Sequence, residues 1–411
     1  MRGRPMLYTR YESDQALMNT GTKKVMLGVL IVIMALIPLG VLPGIGFLAQ
    51  NDWLRLLSTV AIFGVGALGL NILTGLAGQV SLGHAFFMGV GAYTAAWLGA
   101  APGPLFGAGL PIWIWLPAAG IVSALVGVAV GPTAVRVRGL YLAFVTLGLV
   151  FVGEYVFRNW MSLTGGSQSG RTFPRFQLRL WQEEDPLVHF AADGPWFGIE
   201  LSAQAKTYYF VALIFIVAIV LAKNLQRTRV GRAFQSIRDR DIAAEIMGVN
   251  EFRYKLIAFG ISSFYAGVSG ALFASFVGRM IPERWDLLLS VQMIAIILIG
   301  GAGVVTGAVL GSAFVIVLPR IVEDFTNWLA GVARSGEGAF SWLADTVVST
   351  GLGDFGLVNT QAGVAPGLSI AQLNQVLYGL LIIGFLIFEP LGLYGIWLRI
   401  RNYWKGWPFT Y

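Results

Sequence analysis

The chain has 411 residues and a formal net charge of +7, and 56% of its residues are hydrophobic whereas only 12% are charged. Soluble domains carry about 25% charged residues, so most of this chain cannot face water. The sequence contains no Cys, which excludes disulfides, thiol nucleophiles and Cys-based metal sites. The two histidines, His84 and His189, lie far apart in the sequence, and we expect neither a metal nor a cofactor.

The basic residues occupy the stretches between apolar segments. A basic protein can bind nucleic acid, but Lys and Arg next to membrane spans are retained on the cytoplasmic side. The second explanation accounts better for their placement. We therefore expect membrane lipid around the chain and no nucleic-acid partner.

Ten apolar segments approach the roughly 20 residues that a helix needs to cross a bilayer. The sequence therefore predicts an all-α, polytopic integral membrane protein with about ten transmembrane helices. One segment, Leu287–Ile299, is short and followed by glycines, so it either spans or re-enters the membrane. The segments are Val25–Leu48, Leu54–Leu73, Leu82–Leu98, Leu110–Val130, Leu140–Phe157, Thr207–Lys223, Leu256–Phe276, Leu287–Ile299, Val304–Ile321 and Ala371–Phe388.

The loop charges predict the orientation of these spans. Met1–Lys24 is basic and precedes an apolar run too long for a cleaved signal peptide, so we expect a retained first span with a cytosolic N-terminus. The same rule places the basic tail, residues 396–411, in the cytosol. Two long segments then lie outside, Arg158–Lys206 and Phe325–Ile370, and the second has a weakly amphipathic run near Ala339–Val348. Either segment could pack on the outer face and meet an external partner; ordinary loops or interfacial helices are the alternative, which we favour for the second segment.

One interior segment, Arg227–Lys255, is highly charged although both of its neighbours are apolar. Its middle, Ser236–Val249, has apolar and charged residues at helical spacing and no Gly before Gly248. This pattern predicts one short cytosolic helix presented to a protein partner. An ordinary positive-inside loop with a solvated helix explains the composition equally well.

Two patterns of small residues stand out. Ile72–Val80 and Ile297–Val305 are identical at six of nine positions, which is typical of the internal repeats of transporters but can arise by chance in a Gly-rich chain. Gly303, Gly307 and Gly311 form small-xxx-small steps that predict close helix packing.

Polar residues inside the apolar segments are the candidates for a substrate path. Glu154 is the one acid well within a segment, and such acids usually face a cavity or a partner. His84 is more often a hydrogen-bonded packing residue than a ligand. The candidate path residues are Asn71, Gln79, His84, Glu154, Tyr265 and Gln292.

The catalytic motifs of several enzyme classes are absent from the sequence. The chain has no G-x-x-x-x-G-K-[ST] loop, so it lacks the cradle that holds a nucleotide phosphate. It also lacks GxSxG and HExxH, and no pair of carboxylates lies within an apolar segment. We expect no catalytic residues and no enzymatic activity in this chain.

Five motifs, taken together and in this order, resemble LivM-type permeases, which are membrane subunits of branched-chain amino-acid ABC importers. The resemblance covers residues 25–395, and it does not separate amino acids from urea or short amides, which close relatives handle. Phe325–Ile370 is longer than the family leads us to expect. The motifs are GLNILTGLAGQVSLGHAFFMGVGAYTAA at 69–96, GLYLAFVTLG at 139–148, TGGSQSG at 164–170, GRAFQSIRDRDIAAEIMGVN at 231–250 and LIGGAGVVTGAVLGSAFV at 298–315.

The resemblance implies an ABC-importer permease fold in a bacterial cytoplasmic membrane. It also implies two cytosolic ATPase subunits, a homologous partner permease, an extracytoplasmic substrate-binding protein and a small-molecule substrate. In such permeases a cytosolic helix with an AAE-x-x-G pattern docks into the ATPase, with small residues allowing close approach and a Gly ending the helix. The corresponding residues are Arg240, Ala243, Ala244, Glu245 and Gly248.

Two other classes of function remain as alternatives. A stand-alone secondary carrier or channel would need intramembrane acids or a coupling-ion site, and Glu154 alone argues weakly against it. An integral membrane enzyme would need a catalytic cluster, which the sequence does not show. Co-purification of ATPase subunits separates the importer from both alternatives.

Overall fold

The computed structural model describes residues 21–41, 44, 46–103, 105–135, 140–179, 188–196, 198–335, 348–349, 358–359, 368–389 and 391–406. The described chain is predominantly helical. We number its longer helices α1 (Gly21–Leu36), α2 (Asn51–Leu70), α3 (His84–Gly99), α4 (Ile112–Val135), α5 (Leu140–Asn159), α6 (Ala203–Arg227), α7 (Arg229–Asp239), α8 (Asp241–Ile246), α9 (Glu251–Val277), α10 (Leu287–Gly300), α11 (Val305–Ser335), α12 (Ile370–Phe388) and α13 (Gly392–Gly406).

Each of the ten predicted segments falls on a helix, which confirms the all-α, polytopic architecture. Within the described residues, six helices are long and apolar enough to cross a membrane, namely α2 with its π-helical continuation Asn71–Leu76, and α4, α5, α6, α9 and α11. The others are shorter: α3 has 16 residues and α10 has 14, and α1 and α12 contain apolar stretches at Gly28–Leu39 and Gln375–Phe385. The ten segments are therefore not ten equal spans.

Helix α9 lies at the centre of the bundle and packs against α2, α3 and α4. Small residues make this possible, because a Cβ added to Gly270 would lie 2.0 Å from the carbonyl O of Met88, and one added to Gly91 would lie 2.2 Å from the carbonyl O of Gly267. In a bilayer the tails are as apolar as the side chains, so close backbone approach is the main source of helix association.

The predicted glycine packing between α10 and α11 is present for two of the three glycines. A Cβ at Gly311 would lie 2.0 Å from the carbonyl O of Ile296, and one at Gly307 would lie 2.3 Å from that of Gly301. Gly303 instead sits in the turn between the helices, with φ +86°.

The charged segment is two helices, so the prediction of one helix over Ser236–Val249 is wrong. Helix α7 ends at Asp239, and Arg240 adopts an extended conformation with φ −155° and ψ 97° before α8 begins. Hydrogen bonds from the N–H of Gly248 to Glu245 O and from the N–H of Val249 to Ala244 O then close a Schellman motif. Gly248 has φ +84° and ends the helix, as the sequence predicts.

Helix α10 runs between the two ends of the bundle. It starts at Asp286, whose carboxylate accepts from the N–H of Leu289 at 3.0 Å, and its C-terminal turn reaches Gly303, which lies against Arg238 of α7. Fourteen residues give about 21 Å of helix, short of the ~30 Å of a bilayer core. Asp286 lines one cavity with Leu56 near the start of α2, whereas Gly303 contacts Asn71 at the end of α2, so α10 extends along α2 and a crossing is favoured over a re-entrant segment. We call the end that contains α7 and α8 the α7–α8 end.

Short strands lie at the opposite end of the bundle. β1 (Arg171–Thr172) pairs with β6 (Arg279–Met280) in antiparallel register, and this joins the segment after α5 to the end of α9. Two hairpin-like pairs lie within the predicted outer segment Arg158–Lys206, formed by β2 (Gln177–Leu178) with β3 (Val188–His189) and by β4 (Gly194–Trp196) with β5 (Ile199–Leu201).

The predicted outer segment Phe325–Ile370 begins inside a helix, because α11 continues to Ser335. Past that point β7 (Val348–Ser349), β8 (Val358–Asn359) and β9 (Leu368–Ser369) form a small parallel sheet. Apart from Val348, the predicted amphipathic run Ala339–Val348 lies outside the described residues.

The basic tail is helical where it is described. Helix α13 packs against α10 and α11, and Arg399 forms an ion pair with Glu389. At its start, a Cβ on Gly301 would lie 2.5 Å from the carbonyl O of Leu391. The tail therefore lies at the α7–α8 end of the bundle.

Candidate functional site

Helix α7 is anchored to the bundle by one amphipathic face. The hydroxyl of Thr228 caps its N-terminus by accepting from the N–H of Gly231 at 3.3 Å. Phe234 and Ile237 are buried, and from the same helix Arg238 donates from Nη1 to the carbonyl O of Gly75 at 2.8 Å. The charged segment is therefore fixed to the membrane helices and does not project freely.

The five predicted coupling residues do not share one face. Ala244 is buried against its own chain, with only 5% of its surface exposed, whereas Ala243 and Glu245 are exposed. Arg240 marks the break between α7 and α8, and in the described part of the chain neither it nor Glu245 forms an ion pair. The structure thus places Ala244 in the interior of the loop, where it cannot itself meet a partner.

An exposed apolar surface on α8 was missed by the sequence reasoning. Ile242, Ile246 and Met247 have 67%, 81% and 84% of their surface exposed, and we call these three residues the α8 surface. The sequence signal was available, because three large apolar residues flank the small Ala244 in an otherwise charged segment. Exposed apolar residues clustered beside charged ones are typical of a protein interface.

The two copies of the internal repeat contact each other at the α7–α8 end. The side-chain Oδ1 of Asn71 accepts from the N–H of Gly303 at 2.7 Å, and a Cβ at Gly75 would lie 2.2 Å from the same nitrogen. Since Arg238 donates to Gly75, these residues link α7 with both repeats, and we call Asn71, Gly75, Arg238 and Gly303 the repeat junction. Asn71 lies at the start of the π-helical turn, and its Nδ2 has no hydrogen-bond partner among the described atoms.

Three further candidate path residues are buried and bonded to backbone carbonyls. Gln79 Nε2 donates to Lys255 O at 3.3 Å, and Tyr265 Oη donates to Ala218 O at 3.1 Å. His84 Nε2 lies 2.9 Å from Gly66 O, so this nitrogen carries the proton. These contacts hold neighbouring helices together, and none of the three residues lines the cavities described below.

Glu154 forms a charge network and does not stand alone in its helix. Its carboxylate lies 2.6 Å from Arg158 Nη2 one turn further on, and Arg158 Nε lies 3.3 Å from Glu283 Oε1. Glu154 therefore positions Arg158 between two acids at the opposite end of the bundle.

Gln292 is the one candidate path residue that lines a described cavity. This cavity has a volume of about 420 Å³ and lies towards the opposite end, between α2, the N-terminal half of α10, the C-terminal half of α9 and the middle of α11. Glu283, Arg284 and Asp286 supply charge, and its apolar lining includes Phe63 and Phe273. A neighbouring cavity of about 330 Å³ shares Leu56 and Thr59 with it.

A third cavity, of about 480 Å³, lies beside the TGGSQSG motif and is lined by Arg171 and Arg279. In the described part of the chain, no group of three or more His, Asp or Glu residues is arranged to hold a metal ion. The described cavities are lined by charged and apolar side chains.

Comparison with known proteins places the chain among transport permeases. The family model described as "branched-chain amino acid transport system / permease component" matches residues 53–386. The chain is 31% identical to the high-affinity branched-chain amino acid transport system permease protein LivM of Salmonella typhimurium, over 69% of this chain and 66% of that protein. The LivM protein of Escherichia coli K12 matches with the same identity and the same coverage. The chain thus spans slightly less than two thirds of these relatives.

A more distant similarity points in the same direction. The autoinducer 2 import system permease protein LsrC of Escherichia coli O9:H4 is 30% identical over 53% of this chain and 61% of that protein. No solved structure matches the chain. The family model covers residues 53–386 and therefore most of the helical bundle. The chain is a multi-pass membrane protein that belongs to the family of branched-chain amino acid transport system permease components.

Proposed function

We propose that the chain is one membrane subunit of an ATP-driven importer for branched-chain amino acids. A homologous partner permease forms the translocation path with it, two cytosolic ATPase subunits supply energy, and an extracytoplasmic binding protein delivers the substrate. The observation that carries this proposal is the repeat junction. There Arg238, from the charged segment, donates to Gly75 of one repeat and lies next to Gly303 of the other. A urea or short-amide permease and a stand-alone carrier are the alternative functions.

The α8 surface is the contact for the ATPase in this proposal. The sequence has no nucleotide-binding loop, so energy from ATP must enter through another subunit. The exposed apolar side chains of α8 supply area for an interface, and the neighbouring charges of Arg240 and Glu245 supply specificity. Ala244 and Gly248 shape the loop that presents this surface.

Movement at the α8 surface passes to the membrane helices through α7. Only Arg240 separates the two helices, and Arg238 contacts the backbone of α2's π-helical turn while lying next to Gly303. A π-helical turn carries a hydrogen-bond pattern that differs from the surrounding helix, and such turns are frequent at functional sites. The repeat junction is therefore the place where docking can alter the relation of α2 to α10.

The orientation in this proposal follows from the positions of the charged elements. The α7–α8 end is cytosolic, and so is α13, which lies at the same end. The four helices α9 to α12 between these elements return the chain to that end. We propose cytosolic N- and C-termini, with residues 1–24 inside, the permease domain at 25–395 and the basic tail at 396–411.

Reconstitution of the chain with its co-purified partners tests the proposal. Proteoliposomes that contain the complex are supplied with ATP and binding protein, and uptake of labelled leucine is measured in competition with isoleucine, valine, urea and acetamide. ATP-dependent leucine uptake that isoleucine and valine inhibit, but urea does not, supports the proposal. Uptake of urea or acetamide in place of leucine overturns the substrate assignment, and leucine uptake without ATPase subunits overturns the importer.

A further inference from the structure

The cavity of about 480 Å³ lies beside the TGGSQSG motif, which the coupling mechanism does not use. Two strands that are distant in sequence, β1 and β6, form one side of it, with Thr172 opposite Arg279 and Arg171 opposite Met280. Its volume is within the ~300–1,000 Å³ typical of small-molecule sites. The described residues that line it include two Arg and no acid.

Arg171 is a buried cation with no counter-ion among the residues that the structure describes. Only 2% of its surface is exposed, and its guanidinium donates to three backbone carbonyls, those of Leu163, Phe106 and, at 3.1 Å, Ala96. Its Nε has no acceptor among the described atoms. Burial lowers the pKa of the Arg171 guanidinium, because desolvation disfavours the charged form. A buried cation whose partners are only carbonyls keeps its positive charge uncompensated, and this charge attracts an anionic group to the cavity beside it.

Arg279 supplies the second cation and the open side of the cavity. Its Nε donates to the carbonyl O of Ser169 at 2.7 Å, which fixes the direction of the side chain. Its two Nη atoms make no hydrogen bond or ion pair in the described part of the chain, so the fork that suits a carboxylate is unoccupied. Arg279 is exposed, so a ligand can reach the fork from the opposite end of the bundle.

The glycines of the TGGSQSG motif bring these groups together. Gly165 and Gly170 have φ +76° and +61°, and a Cβ at Gly170 would lie 2.6 Å from the carbonyl O of Met280. Only glycine allows this approach between the motif and β6. Met161 and Leu105 complete the lining with apolar surface.

From this juxtaposition of Arg171 and Arg279 around one cavity, we infer that the cavity binds the carboxylate of the amino-acid substrate at the outer end of the permease. The inference rests on the proposed function, because it identifies the carboxylate as that of the transported molecule. The Arg279 fork receives the two carboxylate oxygens, the positive charge of Arg171 attracts the bound group from within the cavity wall, and Met161 and Leu105 contact an aliphatic side chain. The cavity that Gln292 lines is a poorer first site for a carboxylate, since Glu283 and Asp286 repel it.

A single introduced Cys tests this site in the complete complex, because the chain has no Cys of its own. Ser169 is exposed and lines the cavity, so Ser169→Cys reports occupancy through the rate of modification by a small maleimide. Thr59 lines both of the other two cavities, those of about 330 and 420 Å³, so Thr59→Cys is the matched control. The probes are leucine, 4-methylpentanoate (which keeps the carboxylate and lacks the ammonium), leucinamide (which lacks the carboxylate) and inorganic phosphate.

We expect leucine and 4-methylpentanoate to slow the modification of Ser169→Cys about threefold or more, and leucinamide to have little effect. Adding Arg279→Gln should abolish the protection while the complex still purifies with its partner subunits, and Arg279→Lys should restore the protection only in part because Lys lacks the fork. Equal protection by leucinamide, protection by phosphate without protection by carboxylates, protection only at Thr59→Cys, or protection that survives Arg279→Gln would each overturn the inference.

The same preparation separates this inference from the proposed function. If the complex imports leucine with ATP but no carboxylate protects Ser169→Cys, the site is wrong and the importer stands. If carboxylates protect Ser169→Cys but the complex does not move leucine, the cavity does bind carboxylates. The bound carboxylate is then not that of the transported substrate, and this part of the inference is wrong.

Discussion

Ala244 and Gly248 lie four residues apart. Gly248 ends the helix as expected, whereas Ala244 does not face a partner. Ala244 is buried inside the loop, so a bulky residue there would displace α8 from α9 before it could affect a partner. Gly248 has open space where a Cβ would lie, but its φ of +84° is one that side-chain-bearing residues rarely adopt. At this scale the resemblance pointed to these residues, and the structure adds the burial of Ala244 and the left-handed backbone of Gly248, while their role in coupling stays a prediction.

Replacement of Gly248 tests whether conformation, rather than close packing, requires glycine. We expect Gly248→Val to destabilise the end of α8 by about 1–2 kcal/mol, because the left-handed conformation is costly for a side-chain-bearing residue. The rate of limited proteolysis within residues 240–250 should rise by a factor of roughly 5–30. Gly248→Asn should behave nearly like the wild type, since Asn tolerates that conformation. Equal damage from Val and Asn would show that contact, not conformation, selects glycine.

Glu154 is the second residue whose role can be tested singly. Glu154→Gln keeps the shape and removes the charge, leaving Arg158 with only Glu283 as its partner. Because Glu283 lines the cavity that Gln292 shares, we expect transport to fall several-fold with nearly normal expression. Glu323→Gln, at an exposed position on α11, is the control and should leave leucine uptake unchanged. Unchanged uptake in Glu154→Gln would remove Glu154 from the path.

At the scale of elements, the existence of the helices was predictable and their breaks and ends were not. Apolar length predicted helices in all ten segments, because a membrane span must satisfy its own backbone. The break at Arg240 was not predictable, since Arg is a good helix former. Helices α7 and α8 both pack on α9, and α7 also packs on α6 and on the π-helical turn, so the break depends on contacts distant in sequence. Helix α11 continues past Ile321 to Ser335. This stretch contains no Pro, and its one glycine, Gly331, lies inside the helix without ending it.

The α8 surface is the element whose function is most directly testable. Met247→Ser removes most of an exposed apolar side chain without touching the core, so we expect the loop to fold normally and the ATPase subunits to be lost more readily on purification. The expected loss of affinity is about tenfold, equivalent to about 1.4 kcal/mol. Ile199→Ser, a half-exposed position on β5 at the opposite end, is the matched control. Normal ATPase retention with Met247→Ser, or an equal loss with Ile199→Ser, would contradict an interface on α8.

At the scale of the whole molecule, the long-range contacts explain what the sequence could not show. The repeat junction joins residues 232 positions apart, from Asn71 to Gly303, and the β1–β6 pair joins segments that flank four helices. The repeat pattern hinted at the first contact, because related segments of a transporter meet at the centre. No local pattern predicts that the TGGSQSG motif lies beside Arg279.

The orientation of the bundle predicts where introduced cysteines can be labelled. In intact cells an impermeant reagent should label Gln168→Cys, because residue 168 lies at the end opposite to α7 and α8. Ser236→Cys on α7 and Arg401→Cys on α13 should be labelled only after permeabilisation. The reverse pattern would overturn the orientation, and labelling of Arg401→Cys from outside would mean that α10 does not cross the membrane.

The central claim is that docking at the α8 surface is transmitted to the membrane helices by Arg238. It is tested most directly by measuring ATP hydrolysis and leucine uptake together in proteoliposomes that carry wild type, Arg238→Ala or Arg232→Ala. Arg232 is exposed on the same helix and donates to Arg227 O within the loop, so it is the matched control. Loss of a charged hydrogen bond costs about 1.5–3 kcal/mol, so we predict that Arg238→Ala lowers the leucine moved per ATP about tenfold or more while hydrolysis persists, and that Arg232→Ala changes neither. Normal leucine uptake per ATP in Arg238→Ala would contradict the account.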